Sequence, residues 1–398
     1  MSDVKGYRRF LSFGFPFKAF NRDIWLLCLC NGIGAFGEGL YFWTFPLYIK
    51  SLNADYVQLG LVFSMLYFVG ALAPIPGGFL ADRFDRKKIM LLAWTPWAFA
   101  PLIYSFAENW VQLIPGTVCW GVSTIGIPAF TAYIITSTGD KTKFASVLSF
   151  VWATYSFSYI FAPAVGAYLA TIMGMQWVLR ISTIFSAIST SVFFFVRSQR
   201  PLKKAAEKHA QSSPSQKNAL WRKLLLWTVF YAAMSFFMSV GRTYVPTFLD
   251  EEIKLNEFLI GLFGSVNFAG MALMGIAMGH LADRWKKSGT IGLCLIFYMF
   301  SVIPLMLVRE TASLMVIAFL LGSSAVTGSL VSSFIGTIAP ENKRGSWTSI
   351  PLTMGLLAAF AAPYLSGYLY TASPYYTFIV SVSAVPFLAL FALTKLKD

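Results

Sequence analysis

Most of the chain is taken up by long apolar runs separated by short polar turns. Twelve runs can be marked, at residues 24–49, 55–80, 88–107, 109–136, 143–171, 177–196, 222–249, 256–281, 289–308, 312–338, 345–371 and 374–394. Each has about 20 residues or more, enough for an α-helix to cross a hydrocarbon core of roughly 30 Å. In that layer no water serves the backbone, so each segment must bond to itself and helices are the expected element. The pattern predicts an all-α polytopic membrane protein with twelve transmembrane helices. Residues 197–221 are the one long polar stretch, with Arg200, Lys203, Lys204, Lys208, Lys217 and the turn formers Ser212, Ser213 and Pro214. They read as a cytoplasmic linker between a half at 23–196 and a half at 222–394. A basic, aromatic arm (1–22) precedes them and a short tail (395–398) follows.

Composition agrees with this picture. The 398 residues are 57% hydrophobic and 12% charged, against roughly 25% charged in soluble domains. The net charge of +14 raises nucleic acid as a partner, but the positions of the cations point elsewhere. With both termini placed inside, 26 of the 31 lysines and arginines fall on the inner side; only Lys50, Lys254 and Arg309 fall outside, and Arg180 and Arg242 lie within spans. That asymmetry is the positive-inside pattern of a protein whose termini are both cytoplasmic. It makes the cations topological anchors and contacts for anionic lipid at the cytoplasmic face. Cys28, Cys30, Cys119 and Cys294 all sit in apolar runs. They read as small fillers, neither a metal site nor a disulfide framework. The first run is too long for a signal-peptide core and is expected to remain in the mature protein.

The halves repeat. Pro46 recurs as Pro246, Asp82 as Asp283, Asp140 as Glu341, Ala162-Pro163 as Ala362-Pro363, and Tyr168-Leu169 and Thr171 as Tyr368-Leu369 and Thr371, at an offset of 200 or 201 throughout. A constant offset across several helix pairs implies two parallel six-helix halves about a pseudo-two-fold axis along the membrane normal. A substrate site is then expected near the midplane between them.

Two turns carry a shared frame. Gly78-Phe79-Leu80-Ala81-Asp82-Arg83-Phe84-Asp85-Arg86-Lys87-Lys88 has a weaker copy in Gly279-His280-Leu281-Ala282-Asp283-Arg284-Trp285-Lys286-Lys287. The frame resembles the G-x-L-a-D-R-x-G-R-[RK] signature of the major facilitator superfamily of membrane transporters. Gly78, Leu80, Asp82, Arg83, Arg86 and Lys87 match, while Asp85 stands where that family has its second glycine. The resemblance covers about residues 24–394 and implies the two-half fold, alternating access and, usually, a monomer in the plasma membrane. It also implies that Asp82 latches the outward-facing state by accepting bonds from a neighbouring helix N-terminus, with ion pairs from Arg83, Arg86 and Lys87 that break on rocking. The plainer reading is a solvated basic turn.

Glu38 is the one acid deep inside a span. A carboxylate costs several kcal/mol at that depth and is usually turned to a cavity or a partner, so Glu38 is the candidate to load and release a proton. A neutral structural carboxyl is the alternative. Arg242, on the symmetry-related helix 7, is expected either to face the cavity, pairing with Glu38 or an anionic substrate group, or to snorkel outward. Snorkelling is the reading for Arg180. Asn31, Tyr41, Trp120, Tyr155 and Tyr244 are further cavity candidates, and Trp43, Tyr133, Tyr159, Tyr231 and Trp347 belong to the same aromatic set. Ala162-Pro163-Ala164-Val165-Gly166-Ala167 loosely resembles the G-P-x-x-G-G motif of the family's antiporters through Pro163 and Gly166; small-residue packing explains it equally. The arginine that family often carries in helix 4 is absent, Thr117 occupying the position, which throws proton coupling onto Glu38.

No metal-spaced cluster, P-loop or catalytic constellation is found, so neither an enzyme nor ATP-driven transport by this chain is expected. The expected function is proton-coupled efflux of small amphipathic compounds, with no cofactor beyond a proton gradient and no nucleic-acid partner. Uptake of an organic anion or other metabolite is the first alternative, and a non-transporting receptor or scaffold of the same fold the second.

Overall fold

The computed structural model describes residues 20–138, 144–200, 214–339 and 344–396. Most of the N-terminal arm, the middle of the linker, the Asp140 and Glu341 pair and the cations Lys141, Lys143 and Lys343 lie outside the described residues. The rest forms twelve helical spans: α1 (Arg22–Phe42, continued by Phe45–Ser51), α2 (Tyr56–Arg83), α3 (Arg86–Ser105), α4 (Trp110–Ser137), α5 (Phe144–Met173), α6 (Met175–Phe195), α7 (Pro214–Arg242, continued by Val245–Glu251), α8 (Glu257–Arg284), α9 (Lys287–Leu307), α10 (Thr311–Ile338), α11 (Arg344–Ala372) and α12 (Pro374–Thr394). Eleven satisfy length and hydropathy together; α3, which starts with Arg86, Lys87 and Lys88, is the least apolar.

The turns follow from local chemistry. Asp55 and Gln58 form a reciprocal capping box at the start of α2, and Asn256 accepts from the Leu259 N–H at the start of α8. Each satisfies backbone donors that a helix leaves bare at its first turn. Before each cap the chain reverses through one residue of positive φ, Asn53 (61°) and Lys254 (63°). Within α1 the helix breaks at Trp43–Thr44 ahead of Pro46, and within α7 it breaks ahead of Pro246. Proline lacks the N–H that would continue the ladder. The 200-residue repeat is therefore visible in backbone geometry as well as in sequence.

Helices α1–α6 and α7–α12 meet along two crossings, α2 with α11 and α5 with α8. Lipid gives packed helices no hydrophobic drive, so close approach and hydrogen bonds must hold them. Glycines supply the approach. A Cβ at Gly60 would lie 2.2 Å from the Pro363 carbonyl oxygen, one at Gly367 would lie 2.6 Å from Val57 Cα, and one at Gly261 would lie 2.6 Å from the Pro163 carbonyl oxygen. Serines supply the bonds, in symmetric fashion: the Ala164 N–H donates to Ser265 Oγ (3.0 Å) and the Tyr364 N–H donates to Ser64 Oγ (3.2 Å). Pro163 and Gly166 thus belong to this contact region. Gly166 itself faces α1, where an added Cβ would meet the Leu40 carbonyl oxygen at 1.7 Å.

One end of the crossings is locked. The Glu251 carboxylate accepts from Tyr56 Oη (2.9 Å) and Tyr370 Oη (3.3 Å), and Lys50 Nζ lies 3.9 Å away, over the Tyr56 ring. Tyr244 stacks on Tyr370 and donates to the Tyr56 carbonyl (2.6 Å). Ring contacts between the two sets extend to Phe68–Phe360 (5.1 Å) and Tyr159–Phe268 (4.6 Å). Among the described residues, no ring or hydrogen-bond contact joins them nearer Asp82 or Asp283. Among the described residues the two sets are joined at the Lys50–Glu251 end and parted at the end bearing the repeated turns.

Two consequences are testable. Gly166→Ala should destabilise the folded protein by at least about 1–3 kcal/mol through overpacking, read as a lowered melting temperature of the purified protein; an unchanged melt would show that α1 and α5 have room. The half-exposed ion pair of Lys50 contributes little, but each tyrosine bond to the carboxylate is worth about 1.5–3 kcal/mol. Glu251→Ala should therefore let the locked end open. A cysteine placed at Ser239 should then react about tenfold faster with an impermeant maleimide added from the Lys50 side. Equal rates in the two backgrounds would show that another contact keeps this end shut.

Candidate functional site

Glu38 lies on α1 seventeen residues into the helix, where glycines on either side leave space for neighbouring helices: a Cβ at Gly34 would meet Trp97 at 2.8 Å and one at Gly39 would meet Ala162 at 2.6 Å. The side chain is 4% exposed. Trp120 Nε1 on α4 donates to Oε1 at 2.8 Å, and Tyr155 Oη on α5 donates to Oε2 at 3.3 Å. Tyr159 Oη lies 3.2 Å from Tyr155 Oη, and with the Tyr155 proton on Glu38 it is Tyr159 that donates. No cation lies within ion-pair distance; Lys50–Glu251 is the ion pair among the described residues. Indole is a donor in any state, whereas a phenol hydroxyl donates or accepts. The cage therefore accommodates Glu38 with or without its proton, the Tyr155 hydroxyl turning to suit. A cavity of about 190 Å³ opens onto the carboxyl, walled by Asn31, Trp94, Trp97, Trp120 and Tyr155 among others. Asn31 donates its amide to the Val151 carbonyl (2.9 Å), which fixes it as part of the wall.

Arg242 lies on the last turn of the first segment of α7. It does not pair with Glu38. It forms the shared wall of two cavities of about 210 and 250 Å³, together with Tyr67 of α2. The first is aromatic, with Phe42, Trp43, Phe63 and Phe268. The second carries hydroxyls, including Tyr231, Ser235, Ser239 and Thr327. Arg242 is thus an inward-facing residue. Arg180 differs: its guanidinium stacks over Trp177 (4.5 Å) and Phe106 (5.4 Å), as an interfacial side chain does.

Two cavity candidates lie elsewhere. Tyr41 is 2% exposed and packs edge-on against Phe45 and Tyr104. Tyr244, fully buried, serves the lock between the two sets. Both fall beside a helix break, which redirects the chain away from the face that a continuous helix would present. From the wider aromatic set, Trp43 and Tyr231 line cavities, Tyr159 backs the Glu38 cage, and Tyr133 donates to the Arg197 carbonyl. Trp347 packs on Trp221.

The basic turn also divides. Arg86 Nη1 donates to the Ala132 carbonyl (3.1 Å), Thr136 Oγ1 (2.6 Å) and Gln199 Oε1 (2.5 Å), and Lys87 Nζ donates to the Phe194 carbonyl (2.8 Å). These bonds lie within the first six helices and the chain just after them, so Arg86 and Lys87 tie the turn to α4 and α6; among the described residues they form no ion pair across the bundle. Asp85 caps α3, accepting from the Lys87 and Gln199 N–H groups and from the Ser198 hydroxyl. Burial works against its charge, but these bonds and the nearby Lys88 together hold its carboxyl below the usual range. That cap explains an acid at a position where a glycine was expected. Asp82, Arg83 and Asp283 are exposed, and Asp82 has no hydrogen bond or ion pair among the described residues, though its charge is felt at Arg86. Arg284 is exposed beside Asp283. A Cβ at Gly78 or Gly279 would meet nothing within 4 Å.

Residues that sequence reasoning passed over include Glu251, Tyr56 and Tyr370 of the lock, Tyr67 of the cavity wall, and Trp97. One signal was available: Lys50 has Asp250, the neighbour of Glu251, as its mate in the repeat, an opposite charge at the equivalent position.

Comparison with known proteins gives a consistent result. The family model described as Major Facilitator Superfamily matches residues 27–252 and 238–398. The chain is similar to the multidrug resistance protein MdtG of Proteus mirabilis, 26% identical over 312 residues that cover 75% of this chain and 76% of the relative. It is also similar to multidrug resistance protein 2 of Bacillus subtilis, 22% identical over 373 residues, 90% and 91% of the two chains. Among solved structures, the nucleoside transporter NupG superposes with a TM-score of 0.75 at 14% identity, over 95% of this chain and 100% of the other. An inward-facing, occupied bacterial homologue of the human lysosomal transporter Spinster gives 0.69 at 14% identity, over 93% and 94%. Twelve spans, inward-facing polar side chains and a family model that accounts for almost the whole length lead to one conclusion: the chain belongs to the Major Facilitator Superfamily and is an integral membrane transporter, not an enzyme.

Proposed function

We propose that this transporter exports small amphipathic compounds against a proton gradient, by alternating access of two six-helix halves. The observation that carries the reading is Glu38, buried among neutral donors at the end of a cavity and able to sit there in either protonation state. A proton taken up from one side and released to the other as the halves rock would couple the two fluxes. The names of the two multidrug resistance relatives support export and a broad apolar substrate class. The aromatic walls support the same class, since flat apolar bodies pack on rings without needing particular bonds.

In this reading the end bearing Asp82 and Asp283 is cytoplasmic, as are both termini, in a plasma membrane where the basic turns meet anionic lipid. The protein works as a monomer with no cofactor. The structure then corresponds to the inward-facing state. In the outward-facing state the parted end closes, and Asp82 accepts bonds from the N-terminus of α11. Arg242 favours a second reading, uptake of an organic anion; the direction of flux in oriented vesicles separates the two.

Glu38→Gln keeps the size and the hydrogen-bonding capacity of the site but cannot release a proton. In proteoliposomes it should abolish the dependence of substrate flux on an imposed pH gradient while ligand binding persists. Flux in the variant that still follows the gradient would remove Glu38 from the coupling. Asp82→Asn should lower the transport rate without loss of folded protein from the membrane; transport at the wild-type rate would mean that the turn is only a solvated anchor.

A further inference from the structure

Arg242 is the charge in the centre of the bundle for which the fold provides no answer. It is half-buried between the aromatic and the hydroxyl-lined cavities. Among the described residues, no carboxylate comes within ion-pair distance of it, no ring face lies under its guanidinium as one does under Arg180, and no carbonyl accepts from it. A guanidinium presents five donors and keeps its charge in any environment a protein offers; here it opens onto two cavities, where water or a ligand must satisfy it. The same wall also holds a sealed donor: among the described residues Trp43 Nε1 is fully buried without a hydrogen-bond partner.

Repeat symmetry sharpens the point. At the 200-residue offset Arg242 corresponds to Phe42 and Glu38 to Met238. Each half thus carries a single central charge where the other carries an apolar side chain. The two charges belong to different cavities and do not neutralise each other. The Glu38 carboxyl has neutral donors of its own; Arg242 has neutral hydroxyls beside it and, among the described residues, no anionic acceptor.

We propose that the Arg242 wall is an oxyanion subsite, and that the compounds carried are amphipathic acids: a flat apolar body held by Phe42, Phe63 and Phe268, with a carboxylate or similar oxyanion on the guanidinium. This rests on the reading of the central cavities as the transport site. It narrows the substrate class to acids, where the aromatic walls alone would admit neutral and cationic compounds equally. Tyr67, which borders Arg242 in both cavities, is placed to add a hydroxyl to the same group.

The test is equilibrium binding to purified full-length protein, without a gradient, using three probes that share one bicyclic body: 2-naphthoate, 2-naphthamide and 2-naphthylmethylammonium. Wild type should bind the carboxylate about tenfold or more tightly than the amide or the ammonium, the loss expected when a charged donor has no partner. Arg242→Gln should remove that preference while amide binding remains measurable, which also reports an intact cavity. Arg242→Lys, which keeps the charge but not the fork, should retain part of it. Equal affinity for carboxylate and amide in wild type, tightest binding of the ammonium, no measurable binding of the carboxylate, or an acid preference that survives Arg242→Gln would each overturn the proposal. Glu38→Gln, run in parallel, should keep the acid preference. A lost preference with gradient-driven flux intact would sink the subsite alone; a kept preference with flux indifferent to the gradient would sink the coupling alone.

Discussion

Backbone-to-backbone contact at the Lys50–Glu251 end is the constraint on which the rest of the bundle depends. In a bilayer two helices gain nothing by leaving lipid for each other, so association must come from packing and from bonds that lipid does not offer. Gly60, Gly261 and Gly367 remove the side chains that would keep α2 from α11 and α5 from α8. Ser64 and Ser265 then reach a backbone N–H on the opposite helix. With these crossings in place, the Tyr56–Glu251–Tyr370 bonds follow, and the central cavities are walled off from that end. Beyond Phe68–Phe360 and Tyr159–Phe268, no ring contact or hydrogen bond joins the two sets among the described residues.

The same low dielectric that makes helices obligatory makes central charges informative. An arginine or carboxylate at the midplane costs about 2.5–3.5 kcal/mol even on the lower scales, and the chain carries one of each inside the bundle. They are not a pair. Glu38 is accommodated by Trp120 and Tyr155, groups that bond it without cancelling a charge, which suits a residue that changes protonation. Arg242 borders neutral hydroxyls and, among the described residues, has no carboxylate partner. The places where the repeat departs from itself, Glu38 against Met238 and Phe42 against Arg242, are where the two sets take different tasks.

Much of the fold was legible because hydrophobicity in a membrane protein records boundaries directly. Eleven of the twelve helices begin and end within a few residues of the apolar runs; α7 begins earlier, at Pro214, because polar residues also continue a helix once it leaves the membrane. Glu38 was legible because an acid stands out in a span. The lock was not, although Glu251 is one residue from Asp250, the repeat mate of Lys50, because an offset relates equivalent positions and does not tell which residues touch. Tyr41 and Tyr244 misled for a related reason. Helical periodicity assigns a face only while the helix continues, and α1 and α7 break at Trp43–Thr44 and Thr243–Tyr244. Arg86 and Lys87 kept the family frame, yet their reach to the Ala132 and Phe194 carbonyls depends on how α4 and α6 return past the turn.

The glycines distinguish what this conformation uses from what it holds in reserve. At the closed end every crossing glycine has a neighbour that a methyl group would strike. At the parted end Gly78 and Gly279, the two glycines of the repeated frame, face open space, although a glycine in a helix costs about 0.5–1 kcal/mol relative to alanine. Nothing in the present packing offsets that cost at either position. The proposed second state does: if the parted end closes as the other end has closed, helices must approach there as nearly as α2 approaches α11 at Gly60. The frame then marks the same device at the other face, an acid to bond a helix end and a glycine to let it come close, set at both symmetric positions and engaged only when the lock around Glu251 has opened.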